Sequence, residues 1–187
     1  VINSLIDLVA EIIIINSSNN NLNLNDKKIK IYNVNKPLKA SEARNLGYEK
    51  TASDYLLFID SDVILTENGR KFIQNLDLSI LNNKIIGGMY AIDDKANQIS
   101  NINSLILIYR FLNFKECNEN CEFISSSHFI ISKKKFAELG LFNENLSFWE
   151  DVDLSVRARF LGNKLEIYKS FQAIHKKKYS FLSHFKE

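Results

Sequence analysis

A short apolar run that stops abruptly at an acidic triplet constrains this chain more than any other feature. Residues Tyr55–Ile59 are apolar throughout, and Asp60-Ser61-Asp62 follows at once. Such a run is typical of a strand that is buried on both faces of a parallel sheet. We therefore expect the acidic residues at the carboxyl end of a strand, the edge at which α/β proteins bind ligands.

Strand-like and helix-like segments alternate on both sides of this run. Ile12–Ile15 is a second continuous apolar run, in which every residue is β-branched, and it predicts a strand. Further strands are predicted at residues 29–34, 84–92 and 123–132, and helices at residues 1–10, 41–50, 69–78, 102–114 and 150–161. Ser41 is expected to cap its helix and Gly162 to terminate the last one. The alternation predicts an α/β layered fold with a mostly parallel central sheet flanked by helices.

The length and composition of the chain favour one soluble globular domain over residues 1–187. The chain is 45% hydrophobic and 25% charged, which is ordinary for such a domain. A net charge of +2 predicts no nucleic-acid partner. Two cysteines are too few for a disulfide framework, and neither a secretion signal nor an apolar run of about 20 residues is visible. These features together predict a cytoplasmic location.

The carboxylates of Asp60 and Asp62 flank one residue, so they can converge on one hard cation such as Mg²⁺ or Mn²⁺. Such a cation would bridge phosphate groups. The alternative is a solvated acidic turn without a ligand. The triplet alone does not separate the two interpretations.

A second acidic cluster, Trp149-Glu150-Asp151-Val152-Asp153, stands at the start of the predicted helix 150–161. One of its carboxylates, held beside an aromatic ring, could accept a proton from an attacking hydroxyl as a general base. The alternative is structural, because acidic residues stabilise a helix amino terminus and Asp153 can pair with Arg157 one turn later. The local sequence leaves both open.

The order of these motifs resembles family 2 of the glycosyltransferases, whose members share the GT-A fold. The resemblance covers most of the chain. It is carried by Ala43-Arg44-Asn45-Leu46-Gly47, by residues 54–62 with their Asp60-Ser61-Asp62, by Gly140-Leu141-Phe142-Asn143-Glu144 before Glu150-Asp151, and by His175 followed by Ser180.

The resemblance implies a role for each matching residue. The metal, Mn²⁺ or Mg²⁺, would be held by Asp62 and His175, with Asp60 contacting the metal or the ribose. Asp151 would be the catalytic base, and Glu150 would place it or bind the acceptor. The remaining donor contacts implied are Arg44 at the nucleotide or its phosphates, and Asn45 and Ser61 as further candidates.

The late histidine allows other interpretations. His175 precedes Lys176-Lys177-Lys178 and could simply lie on a basic surface, or the lysines could assist the diphosphate. The same basic run continues into Tyr179, Phe181, Leu182 and Phe185. That segment could contact the inner face of an anionic membrane, which would suit a lipid-linked acceptor.

The chain departs from the family pattern near its amino end. The family's opening strand has no counterpart before Val1, so the domain is expected to be incomplete at its amino end. Asn16-Ser17-Ser18 stands where members usually carry an acidic residue that contacts the base. Asn16 could still hydrogen-bond a base through its amide. The nucleotide-binding part is expected at about residues 1–92 and the acceptor side at about residues 93–187.

The function implied is transfer of a sugar from a nucleotide-diphosphate sugar to a hydroxyl of a glycan or lipid-linked acceptor. The reaction would depend on a metal and invert the anomeric carbon, and its setting would be bacterial cell-surface polysaccharide synthesis. One alternative is a non-catalytic module that binds nucleotide-sugars or glycans. Another is a nucleotidyltransferase of similar layered architecture.

Overall fold

The structure is a computed structural model that describes residues 1–18, 20, 22–92 and 121–176. Short 3-10 helices lie at Ile2–Ser4 and Leu78–Asn82. The strands are β1 (Ile12–Asn16), β2 (Ile29–Asn33), β3 (Tyr55–Ile59), β4 (Val63–Leu65), β5 (Lys84–Tyr90), β6 (His128–Ser132) and β7 (Lys164–His175), and the helices are α1 (Ala40–Lys50), α2 (Glu67–Gln74), α3 (Lys133–Glu138) and α4 (Glu150–Phe160). Within these ranges no helix combines the length and apolar character needed to cross a bilayer.

The strands form two sheets. β1 and β2 pair in parallel, and the other five form a sheet in the order β3-β6-β5-β7-β4. In the larger sheet β5 and β7 are parallel, whereas the remaining three pairings are antiparallel. The predicted α/β layered fold is confirmed, with a central sheet that is mixed and not strictly parallel, because β6 runs antiparallel between β3 and β5 and β4 runs antiparallel to β7.

The five-stranded sheet is buried on both faces, which explains the continuous apolar runs. Alternate residues of its strands enter two clusters, one with Phe129 and Phe136 and the other with Ile130 and Phe171. Phe58 of β3 stacks on Phe129 with ring centroids 4.9 Å apart. A strand packed from both sides holds the residues that follow it in a fixed place.

Most predicted elements are confirmed, with four differences at their ends or caps. Ser41 does not cap α1, because Lys39 is the N-cap and Ser41 lies inside the helix. The Ser41 hydroxyl is buried and has no hydrogen-bond partner among the residues that the structure describes. The helix predicted at 69–78 spans Glu67–Gln74 because the Thr66 hydroxyl accepts from Gly69 N–H and caps it.

Gly162 ends α4 with φ +77°, as expected. Two predicted elements are shorter than expected. The helix predicted at 1–10 is only the 3-10 helix Ile2–Ser4, and the strand predicted at 123–132 is only His128–Ser132. The helix predicted at 102–114 lies outside the described residues.

Helix α2 packs against β7 through a glycine. A Cβ added at Gly69 would lie 2.1 Å from the backbone oxygen of Gln172. We expect Gly69→Ala to destabilise the fold by about 1–3 kcal/mol, because the helix must move off the strand. Gly47→Ala is the control, since its Cβ would lie 3.8 Å from Ile15 Cγ1, an ordinary contact. Urea denaturation of both variants checks this, and equal effects would contradict it.

An apolar cavity of about 820 Å³ lies between the two sheets. Within the described residues, β1 pairs only with β2 and β3 only with β6, so the facing edges of β1 and β3 are not joined. Both strands line the cavity, together with α1, Leu5 and Ile73.

Candidate active site

The acidic triplet forms a tight turn between β3 and β4. Asp60 N–H donates to Ser127 O at 2.9 Å, and Val63 N–H donates to Asp60 O at 3.0 Å. The first bond holds the turn to the segment before β6, and the second closes it. Ser61 lies exposed in the turn, so its side chain is free to meet a ligand.

Strand pairing brings His175 beside Asp62, 113 positions earlier in the chain. In the antiparallel pair of β4 and β7, Val63 stands opposite His175. His175 Nε2 lies 3.2 Å from Asp62 Oδ2, and the ring of Tyr90 stacks near the imidazole with centroids 5.3 Å apart. Lys176 N–H also donates to Asp62 O at 2.6 Å. The predicted association of His175 with the acidic turn therefore has a geometric basis.

This pair fits a hard divalent ion. His175 Nε2 and Asp62 Oδ2 lie 3.2 Å apart, so they form a direct contact and are also close enough to hold one ion together. A carboxylate oxygen with a neutral imidazole nitrogen suits Mn²⁺ or Mg²⁺. Within the described residues no group of three or more His, Cys, Asp or Glu side chains gathers for a metal. Water and phosphate oxygens would supply the other ligands.

The Asp60 carboxylate faces Arg44 of α1 instead. Arg44 Nη2 lies 2.7 Å from Asp60 Oδ1, and Nη1 lies 2.8 Å from Glu150 Oε1. The guanidinium also lies 5.4 Å from the centroid of the Phe142 ring. Burial raises the pKa of the Asp60 carboxyl, and the Arg44 charge opposes that rise. One arginine thus joins the acidic turn to the start of α4.

The start of α4 is tied to the segment before β6. Asp151 Oδ2 accepts from Ser126 N–H at 3.2 Å, and Glu150 Oε1 accepts from the Ser126 hydroxyl at 3.3 Å. Burial raises the pKa of the Asp151 carboxyl, the Ser126 N–H opposes that rise, and the Glu150 charge adds to it. A carboxyl with a raised pKa is suited to take up a proton near neutral pH.

The acidic cluster makes contacts within its own helix and with other parts of the chain. Asp153 pairs with Arg157 one turn later at 2.6 Å, as expected for an ordinary helix ion pair. Glu150 and Asp151 instead meet Arg44 and Ser126, which come from other parts of the chain. Asp151 Oδ1 also accepts from Val152 N–H at 2.9 Å, so Asp151 both contacts the helix start and meets Ser126. Within this described cluster, only Glu150 contacts Arg44, the partner of Asp60.

Two asparagines predicted to contact the donor are engaged within the protein. Asn16 is buried, its amide donates to Asn20 O and Asn33 Oδ1, and its oxygen accepts from the N–H and hydroxyl of Ser18. Asn45 is also buried and bonds both N–H and O of Phe142. All four hydrogen-bonding positions of the Asn16 amide are therefore used, and Asn45 fixes the loop that leads to α4.

Ser126 is the site residue that sequence reasoning missed. Its only signal was its place in Ser125-Ser126-Ser127-His128, a polar stretch within the segment predicted as extended.

Residues 177–187, which include Ser180 and the segment predicted to contact a membrane, lie outside the described residues.

The chain belongs to the glycosyltransferase-like family 2. The family model with the description "Glycosyltransferase like family 2" matches residues 2–186. No curated protein matches the sequence.

Solved structures of similar fold agree with this membership. GalNAc-T7 with UDP, GalNAc and Mn²⁺ has a TM-score of 0.64 at 14% identity, with 91% of this chain and 38% of that chain covered. Staphylococcus aureus TarS 1–349 has a TM-score of 0.60 at 15% identity, with 95% and 55% covered, and its complex with UDP-GlcNAc has a TM-score of 0.62 at 14% identity, with 96% and 55% covered. The predicted GT-A-like fold is confirmed, and the chain spans about two fifths to just over half the length of these proteins.

Proposed function

We propose that this domain transfers a sugar from a nucleotide-diphosphate sugar to an acceptor hydroxyl, with a divalent metal and with inversion at the anomeric carbon. The observation that carries the proposal is the Arg44 bridge, which joins the acidic turn to the helix start that bears Asp151. Three segments far apart in sequence then serve one site. The UDP, GalNAc and Mn²⁺ in the structure of GalNAc-T7 further support this choice of ligands.

Asp62 and His175 would hold the metal, whose charge would stabilise the departing diphosphate. Ser61 is free to contact the donor, and Asp60 stays a candidate contact for the metal or the ribose. Arg44 places its guanidinium at the boundary between the donor side and Glu150, where it can also meet a phosphate. The donor side then comes mainly from residues 1–92 and the acceptor side from residues 93–187.

Asp151 is a better base than Glu150. Glu150 Oε1 is occupied by contacts within the protein, at 2.8 Å from Arg44 Nη1 and 3.3 Å from the Ser126 hydroxyl. Asp151 has no cation partner within the described residues and lies in a partly buried place that favours its protonated form. Its carboxylate would take the proton of the attacking hydroxyl, while Glu150 positions the helix start. Attack opposite the leaving diphosphate would give inversion.

The same proposal includes the kind of acceptor, the cellular location of the domain and the biosynthetic process that it serves. A glycan or a lipid-linked glycan supplies the hydroxyl that Asp151 needs. A cytoplasmic domain, in contact with the inner face of a membrane through its basic and aromatic carboxyl end, would meet a lipid-linked acceptor there. Synthesis of a bacterial cell-surface polysaccharide is the setting in which such acceptors are used.

Asp62→Ala is expected to weaken metal and donor binding together, by at least about 10-fold, since the diphosphate would lose its bridging cation. Isothermal titration with Mn²⁺, and with UDP in the presence of Mn²⁺, measures both. Asp54→Ala is the control, because Asp54 lies exposed just before β3, at the end away from the turn. Unchanged Mn²⁺ affinity in Asp62→Ala would refute the metal assignment.

The function is tested by incubating the chain with Mn²⁺, UDP-GlcNAc or UDP-GalNAc, and a panel of glycan acceptors. Acceptor-dependent release of UDP with a new glycosidic bond is the expected result. Metal-dependent binding of the donor without turnover would instead indicate a binding module. Release of pyrophosphate from a nucleoside triphosphate would indicate nucleotidyl transfer, which attacks phosphorus and not carbon.

A further inference from the structure

Trp149 stands at the N-cap of α4 in a conformation that suits it poorly. Its φ of 68° and ψ of 20° lie in the left-handed region, which a bulky side chain rarely adopts. Its side chain makes no capping hydrogen bond, although Asn, Asp, Ser or Gly would be the usual residues at such a position. The backbone is therefore strained here without any local gain in helix stability.

The side chain of Trp149 is also left open. The residue is 73% exposed, and the preceding Phe148 is 78% exposed. Aromatic side chains usually contribute to stability by being buried, and these two consecutive aromatic residues contribute little in that way. Strain, a missing cap and exposed apolar area at one position are typical of a residue that is retained for function.

We propose that Trp149, assisted by Phe148, is a stacking platform for the sugar ring of the acceptor. The inference rests on the proposed function. A pyranose ring carries C–H bonds on one face, which the electron-rich face of an indole attracts, and hydroxyls around its rim. Trp149 lies two residues before Asp151, and consecutive Cα atoms are about 3.8 Å apart. A sugar ring stacked on the indole would therefore lie at the same helix start that bears Glu150 and Asp151.

Position distinguishes this pair from other exposed aromatic residues. Phe160 is 90% exposed but stands at the opposite end of α4, about 15 Å along the helix axis from Glu150. Phe160 lies within the helix with φ outside the left-handed region, and it is not next to the candidate active site. Phe160 is therefore the matched control for an exposed aromatic side chain that lies on the same helix and does not contact the acceptor.

The proposal predicts effects of opposite sign on stability and on acceptor use. Trp149→Gly relieves the strain, so its Tm should rise by a few degrees, whereas KM for the acceptor should rise at least tenfold. Affinity for UDP with Mn²⁺ should stay within twofold of the parent chain. Trp149→Phe should restore most of the acceptor KM. Phe160→Ser should leave the acceptor KM unchanged.

Binding is measured without turnover because Trp149 is the chain's only tryptophan. In the presence of UDP and Mn²⁺, methyl glycosides of cellobiose, chitobiose, lactose and maltose are titrated against its emission. We expect at least one glycoside to shift the emission to the blue and to protect the indole from acrylamide quenching. Sorbitol, which has hydroxyls but no ring face, should do neither.

Two outcomes would overturn the platform. One is a Trp149→Gly variant that transfers sugar with the parent's acceptor KM. The other is the absence of any emission shift with the four glycosides while UDP binding is measurable. A lowered Tm in Trp149→Gly, with kcat and KM unaffected, would show a structural role. If the parent chain binds UDP with Mn²⁺ and shows the glycoside shift but transfers no sugar, the proposed function fails and the platform stands as a glycan-binding site.

Discussion

Asp151→Asn is expected to lower kcat by about 10²- to 10⁴-fold, the usual contribution of a positioned general base. The amide keeps an oxygen that can accept from Ser126 N–H, so the start of α4 should be preserved. Affinity for UDP and Mn²⁺ should be unchanged, because only the proton acceptor is lost. Rapid quench of the transfer reaction, with titration of UDP alongside, measures both quantities.

The matched control for this variant is Asp153→Asn on the same turn of α4. Asp153 forms a helix ion pair with Arg157, so its loss should change activity by less than a few fold. Retained turnover in Asp151→Asn would remove Asp151 from the mechanism.

The pH dependence of the parent chain gives a second check on Asp151. Burial raises the pKa of this carboxyl, so the charged base forms at a higher pH than in a freely exposed aspartate. The value of kcat/KM should therefore fall as pH decreases through that raised pKa, and the residual rate of Asp151→Asn should lack this acidic limb. Because the pKa of Asp151 is higher in the folded chain than in the unfolded chain, folding favours the protonated form. The stability that this group contributes is therefore present at low pH and is lost as pH rises through the raised pKa.

Arg44→Met is expected to be the most destabilising change at the site. The Arg44 and Glu150 side chains are only 13% and 14% exposed, so the variant leaves a buried carboxylate without its cation. Breaking a buried pair costs about 3–5 kcal/mol, and we expect about 3 kcal/mol because the Asp60 side chain is 38% exposed. Activity should be lost as well, since the acidic turn and α4 are no longer joined.

Urea denaturation at two pH values measures this effect. Without Arg44 the two carboxyls repel each other and favour protonation, so the difference from the parent chain should shrink at acidic pH. Arg70→Met is the control, because Arg70 pairs with the exposed Asp7 and donates to Ser4 O, so its loss should cost about 1–2 kcal/mol and leave no buried carboxylate. Equal costs for the two variants would show that the Arg44 bridge does not hold the site together.

The elements that sequence reasoning placed well are those with a strong local pattern. β1 and β3 are continuous apolar runs, and α4 has an acidic first turn and a terminating glycine. Each signal lies within the element itself. The short β4 and α3 were not predicted, because three and six residues carry too little pattern.

The long strand β7 was missed for a different reason. Gly88 pairs with Tyr168 but Met89 pairs with Gln172, so β7 bulges between these partners and its alternation is broken. Its strand character comes from pairing with β5 and β4, which the local sequence does not display. Since β7 carries His175 to Asp62, the geometry of the Asp62–His175 pair could not be predicted either.

The candidate site was predicted as a set of residue types but not as a network. The motifs indicated Asp60, Asp62 and Asp151 because carboxylates at the end of a strand and at the start of a helix can bind a metal or accept a proton, although each also has a structural alternative. The Arg44 bridge and the Ser126 contacts depend on how α1, the segment before β6 and α4 pack together. Asn16 resembled a ligand contact in sequence, but its amide closes its own loop.

The central claim is that the Asp62–His175 pair and the Asp151 carboxylate face one site. A crystal of the chain grown with UDP and MnCl₂ and measured at the manganese absorption edge tests it most directly. We expect one anomalous peak within bonding distance of both Asp62 Oδ2 and His175 Nε2, with the diphosphate of UDP on the ion and on the side of Asp151. A peak elsewhere, or UDP bound away from the acidic turn, would contradict the account.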